Sequence, residues 1–301
     1  MNASSRWSIV LALLLPAVAV VELIGNRLTE RIVPPMSSFE RAAEIVRRGH
    51  LPGDLVVFAP DWMSQTRVAL GEWISLEDEL RGDAFDRPRL WELALDGRRS
   101  PETAGMTPLE QHPLDRLTLT LYRNDTYMPA LWRAHDEWRS ARVTIGAPDG
   151  EKPCPWQERE GRHSCAQAAG EPWVWVGQVF ISDVGFRPRR CLWAHPTERG
   201  PMHVTFADVP TGTRLTGHTG LTYAAFRDVN YQAPVFLDVE VDGALMGRTV
   251  HPGDVGWTTF VYDLPPGPAT RTIRFTVTTP SQGMRHFCFD AAVRATPEEA
   301  G

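Results

Sequence analysis

The chain has 301 residues, 43% hydrophobic and 23% charged, long enough to bury a sizeable core and too apolar for wholesale disorder. Its formal net charge of −6 argues against nucleic acid as a partner, because phosphate binding needs a basic face. The 25 Pro and 24 Gly point to a loop-rich β protein rather than a helical bundle.

Residues 1–33 are expected to form a targeting or anchoring element. After Arg6 the run from Trp7 to Val21 is apolar apart from Ser8, and Glu22 ends it. Crossing a bilayer takes about 20 apolar residues, so this run is short unless Glu22 lies at the headgroups. Ala17-Val18-Ala19, just after Pro16, has the small-x-small form of a cleavage site. A retained membrane anchor, a cleaved signal peptide and a buried soluble helix therefore stay open. Either of the first two exports everything after residue 34.

A small α/β domain is expected over 37–125. In SSFERAAEIVRRGH, Phe39, Ala42, Ala43 and Val46 fall at helical spacing, with Ser37 placed to cap and Glu40 three residues later. Leu55–Ala59 is a short apolar run bounded by Pro-Gly-Asp and Pro, as in a buried strand. A second helix is expected over 64–74, and strands over 89–95 and 117–124.

Residues 130–146 are expected to begin as helix and end as strand. The polar stretch 147–173 is a long loop or hairpin insertion. From Trp173 onward the texture is that of strands. Val235, Leu237, Val239 and Val241 alternate with Phe236, Asp238 and Glu240, and Ile273, Phe275 and Val277 alternate with Arg274 and Thr276. A period of two with β-branched and aromatic residues marks half-buried strands. About eight strands between 138 and 294 predict an antiparallel β-sandwich or jelly roll, with a domain over 135–296. The whole chain is thus α+β.

Four cysteines in an exported chain predict disulfides, and three pairings are open. Cys154 with Cys165 would close the polar insertion, and Cys191 with Cys288 would tie an early strand to the last one across the sandwich; this pairing is the expected one. A metal site at His163 and Cys165 fits no ligand spacing.

No nucleophile elbow, zinc-protease helix or phosphate loop is present, so no catalytic residue is assigned and whether the chain is an enzyme stays open. The glycines of Gly212–Gly220 are expected in a loop of the sandwich. Asp61 is expected to cap the helix that follows, with Trp62 packed on it. His195, His203, His218 and His286 are candidates to converge. Asp78, Glu79, Asp83 and Asp86 are expected on a solvated face. Flat rings beside polar groups suit sugar, and among the Trp and Tyr of the second domain the ligand-binding candidates are Tyr231, Trp257, Tyr223 and Trp193.

The elements TRLTGHTGLT, PVFLDVEVDGALMGR, GWTTFVYDL, TIRFTVTT and HFCFDAAV together resemble the galactose-binding-like jelly rolls, including carbohydrate-binding modules of secreted enzymes. The match covers roughly 180–294. It implies a ligand site on loops at one edge and a structural calcium, although no calcium-type Asp/Asn cluster stands out. The expected function is that of a non-catalytic protein of the bacterial cell envelope, held at the membrane by its N-terminal helix, whose exported sandwich binds carbohydrate or an envelope protein. A glycan-acting enzyme with a site between the two domains, and a structural subunit of an envelope assembly, are the alternatives.

Overall fold

The computed structural model describes Leu14, residues 16–25, 33–74, 84–182, 184–185, 187–227, 233–253 and 256–296. Residues 16–25 are helical, and the rest of the expected anchor before Val33, Leu14 apart, lies outside the described residues. Among the described residues no helix is long and apolar enough to cross a membrane. Contacts divide the chain into two compact units. The first holds the described residues up to Ile74 with Arg89–Asn124, and the second holds those of 84–88 with everything described from Asp125 onward.

In the first unit a helix, Met36–Gly49, precedes strand β1 (Leu55–Ala59) and a short helix, Ser64–Leu70. Strands β2 (Arg89–Leu95), β3 (Thr107–Leu114) and β4 (Leu117–Arg123) complete a four-stranded sheet of order β1-β2-β4-β3, with β1 and β2 parallel. Phe39, Ala42, Ala43 and Val46 cover it, so the helical spacing does face the core. The expected Ser37 cap does not form: the helix starts directly after Pro35, and the neighbouring Ser38 hydroxyl donates to Asp115 at 2.5 Å. Asp61 does not cap either; Met63 takes the N-cap position without a side-chain bond, and Trp62 is 72% exposed rather than packed on the helix. One buried carboxylate, Asp54, ties this unit together by accepting from Arg89 and from the Trp91 indole N–H at 3.1 Å.

The second unit is a sandwich of two antiparallel sheets. Its strands are β5 (Ala130–Arg133), β6 (Arg142–Ala147), β7 (Gly150–Pro153), β8 (Trp156–Gln157), β9 (Arg162–Ser164), β10 (Trp175–Ile181), β11 (Arg189–Ala194), β12 (Met202–Pro210), β13 (Arg214–Leu221), β14 (Val235–Val241), β15 (Ala244–His251), β16 (Trp257–Asp263), β17 (Thr270–Thr278) and β18 (Phe287–Arg294). One sheet runs β16-β13-β18-β11-β10-β9-β8, with β5 also paired to β18, and the other runs β15-β14-β17-β12-β6-β7. The stretch 130–146 opens as strand, not helix, because Trp132 pairs with Val293 and its buried ring packs edge-on against Phe206 at 4.9 Å. Between the sheets lie Leu237, Val239, Phe275 and Val277 from one and Leu192, Leu215, Phe287 and Phe289 from the other. Phe275 and Phe289 meet across the gap at 5.0 Å. The alternating burial of β14 matches its alternating sequence.

The segment Gly212–Gly220 corrects the expectation of a loop. Most of it is β13, an almost wholly buried strand paired with β16 on one side and β18 on the other. Its glycines serve close packing, since a Cβ on Gly217 would lie 2.4 Å from the Phe260 ring and one on Gly220 2.7 Å from the Trp257 ring.

Both expected disulfides are present, Cys154–Cys165 and Cys191–Cys288, and they mark an exported domain folded under oxidising conditions. The second does not cross the sandwich. It joins adjacent strands β11 and β18 of one sheet and packs outside the core with Ile181 and Val184. Because it closes a separation of 97 residues, the chain-entropy relation assigns it about 4–5 kcal/mol. Replacing both Cys191 and Cys288 with serine should lower the free energy of unfolding by about that amount, against about 2–3 kcal/mol for the pair Cys154 and Cys165. Chemical denaturation of the oxidised proteins checks the ordering.

Candidate functional site

Residues that alternate with the core positions of β11, β13 and β18 face away from the six-stranded sheet. On that outer face lies a cavity of about 370 Å³, lined among others by Arg133, His135, Arg189, His218, Asp290 and Arg294. Asp290 on β18 is one of its lining residues. His218 is its direct cross-strand partner on β13, and both the backbone N–H and the Nδ1–H of His218 donate to Asp290 Oδ1, at 2.9 and 3.0 Å. Arg189, buried on β11, donates to Oδ2 at 3.4 Å. Burial alone would raise the Asp290 carboxyl. The charge and hydrogen bond of His218, then the charges of Arg189 and His135, outweigh it and bring the group down to about 2.

A second carboxylate enters from a distant part of the sequence. Asp86 belongs to the 84–88 segment and was expected on a solvated face. It is instead half-buried against Arg294 on β18 and Arg133 on β5, the latter at 3.3 Å. Here too burial raises the carboxyl, and Arg294 and then Arg133 carry it below the usual range. Arg294 also donates to Thr216 Oγ1 and to the Met128 carbonyl, both at 2.8 Å, so the pair is anchored at both ends. His135 completes the wall; burial is the main cause that keeps its imidazole below the ordinary value, and its Nδ1 is buried with no hydrogen-bond partner.

The four candidate histidines do not converge. His195 and His286 lie 5.9 Å apart beside Trp193, His218 belongs to the cavity, and His203 bonds Thr276 on the six-stranded sheet. Burial is the main cause that lowers both His195 and His286, and the charge of Arg285 acts in the same direction on each.

The aromatic candidates are distributed differently from a sugar platform. Trp193 stacks on Trp175 at 5.3 Å, and Arg162 lies 4.9 Å from the Trp175 ring. Trp257 is half-buried with its indole N–H donated to the Val184 and Arg187 carbonyls, so it pins the loop before β11. Tyr223 is 48% exposed on the short helix Tyr223–Arg227. Tyr231 lies outside the described residues. Among the described residues no cluster of three or more His, Cys, Asp or Glu is placed to hold a metal ion, which leaves the implied calcium without an identified site.

No protein-family model and no curated protein matches the sequence. In structure the chain is similar to carbohydrate-binding modules. One is the structure of the CBM51-2 and INT domains of ZmpB from Clostridium perfringens in complex with GlcNAc, at 12% identity and TM-score 0.32, covering 80% of this chain and 47% of that one. The chain thus matches about half the length of that structure. Another is CBM51 from Clostridium perfringens GH95 in complex with methyl-galactose, at 11% identity and TM-score 0.31, covering 54% of this chain and 99% of the other. A third is a family 35 module from Clostridium thermocellum, at 11% identity and TM-score 0.28, covering 55% and 99%.

The depressed Asp290 carboxyl has a measurable consequence. Its folded value of about 2 lies below the ordinary 3.8, so the ionised form stabilises the fold above pH 3.8, and that contribution is lost as the pH falls through about 2. Asp290→Asn should therefore cost roughly 2 kcal/mol or more at pH 7, and the difference from the parent should shrink toward pH 2. Urea unfolding at the two pH values checks both statements.

Proposed function

We propose that this is a non-catalytic protein of the bacterial envelope whose exported sandwich binds glycan at the outer-face cavity. The observation that carries the reading is the set of hydrogen-bonding side chains fixed in one concavity: Asp290 held by His218 and Arg189, and Asp86 held by Arg294 and Arg133. A sugar presents vicinal hydroxyls, and planar, pre-oriented carboxylate and guanidinium groups are suited to bond them in pairs. Because these side chains are already locked by each other, little further ordering is needed on binding. Tyr223, with Trp193 and Trp257 along the same sheet, and Tyr231 are further proposed contacts.

The same electrostatics favour binding over glycosidic cleavage. Hydrolysis by a carboxylate pair needs one member protonated to donate to the leaving oxygen. Arginine and histidine partners hold both Asp86 and Asp290 below the usual carboxylate range, so neither supplies that proton near neutral pH.

Residues 1–33 are proposed to deliver the chain across the membrane or hold it there, which agrees with the oxidised cysteines. The full chain, oxidised and applied to an array of neutral and charged envelope polysaccharides, should bind a subset of them without releasing reducing ends. Absence of binding to every sugar by protein with intact β-sheet circular dichroism would sink the carbohydrate reading. Release of reducing ends that disappears in Asp290→Asn would sink the non-catalytic one.

A further inference from the structure

The first unit carries an exposed surface that glycan binding leaves unused, and the inference drawn from it rests on residues 1–33 holding the chain at the membrane. In the helix that covers 16–25 every described residue is exposed, Val18, Val20, Val21, Leu23 and Ile24 among them. Successive residues of a helix point about 100° apart, so 20–21 and 23–24 put apolar side chains on more than one side of it. A helix that is apolar around much of its circumference belongs in an apolar medium rather than along one face of a protein. At most about 40 Å of extended chain separates Gly25 from Met36. The end of the unit where Met36 lies is therefore the end held nearest to that helix.

Hydrogen bonds and strand register show which loops share this end. Ser38, in the first turn of the helix Met36–Gly49, donates to Asp115 in the turn between β3 and β4. The start of β4 pairs with the end of β2, Leu117 with Leu95, and the end of β2 lies beside the end of parallel β1, Ala94 with Ala59. Residues 60–63 leave β1 at that point and carry Trp62, whose side chain is mostly exposed. Val33 and Met36 are exposed at the same end. Arg41 is paired there with Asp115 and Arg116 with Asp96, and Asp61 and Arg98 add one exposed charge of each sign. The opposite end holds Trp73, which lies beside Arg47 and His50 at the far end of the helix.

An indole has a flat apolar body and a single N–H donor. At the boundary between acyl chains and headgroups the ring leaves water while the N–H keeps a polar partner. We propose that this end of the first unit is a membrane-contact surface, with Trp62 seated at the headgroup level of a lipid bilayer. Because the arginines and aspartates around it are balanced within the unit, the contact is apolar and does not depend on anionic lipid.

The test reconstitutes the full oxidised chain into phosphatidylcholine vesicles, with and without bromine on the acyl chains near the headgroup, and reads the bromine-dependent quenching of tryptophan emission. Trp7→Phe is present throughout, because Trp7 lies within the anchor sequence. Trp62→Phe should lose most of the quenching, Trp73→Phe should keep it, and raised salt should leave it unchanged. Urea unfolding of Trp62→Phe should match the parent, since the ring is exposed. Equal quenching with and without Trp62, or none in either while the chain floats with the vesicles, would overturn the contact surface and leave the anchor reading standing. Quenching that disappears at raised salt would overturn its apolar character. A chain that does not float with the vesicles would remove the anchor reading and this inference together.

Discussion

The outer face of the second unit is organised around one largely enclosed carboxylate. Asp290 sits on β18, the strand that pairs with β5, β11 and β13, and its carboxylate reaches side chains on two of those neighbours. An ionised carboxylate shut away from water is costly unless it is paired and hydrogen-bonded. Here two bonds from His218, one of them from the backbone, and the Arg189 guanidinium meet that requirement. The same contacts hold Arg189 where its guanidinium lies 5.5 Å from the Trp257 ring, and Trp257 in turn fixes the loop before β11. The cluster thus links side chains of β11, β13 and β18 on the outer face of the sheet. The neighbouring Cys191–Cys288 bridge adds covalent reinforcement between the same two strands, β11 and β18.

How much of this was legible in the sequence depends on how local each signal is. The strands β14 and β17 could be read directly, because their side chains alternate between a buried inner face and a wetter outer one. Strand β13 could not, because its Thr, Gly and His residues carry no hydrophobic period; it is central because small residues there admit Phe260 and Trp257 from above. The cysteine pairing was legible from spacing and compartment, but the position of the second bridge was not, since sequence order does not say which strands become neighbours. The 130–133 strand was hidden for a related reason: its partner lies about 160 residues further on.

Asp86 and Asp290 show the same limit at the candidate site. Each belongs to an ordinary-looking stretch, and neither has a motif around it. Asp86 gains its role only because its short segment joins the second compact unit, where Arg294 and Arg133 meet it. Arginines and aspartates scattered over 86–294 carry no spacing rule, unlike the ligands of a structural zinc. A search of the sequence for lone carboxylates facing a shared arginine would have needed the fold first.

The fate of the tryptophans bears on what kind of ligand the face can hold. Apolar ring area is the usual means of holding an uncharged sugar, since the ring covers the sugar's C–H face. Trp193 has given one face to Trp175 and lies 5.4 Å from His286 on another side, and Trp257 has its polar edge bound to two carbonyls. Their contacts serve the sheet itself. What the outer face keeps available as a concavity is lined mostly by arginine, histidine and aspartate side chains. Hydrogen-bonding groups, rather than exposed ring faces, are therefore what that concavity presents.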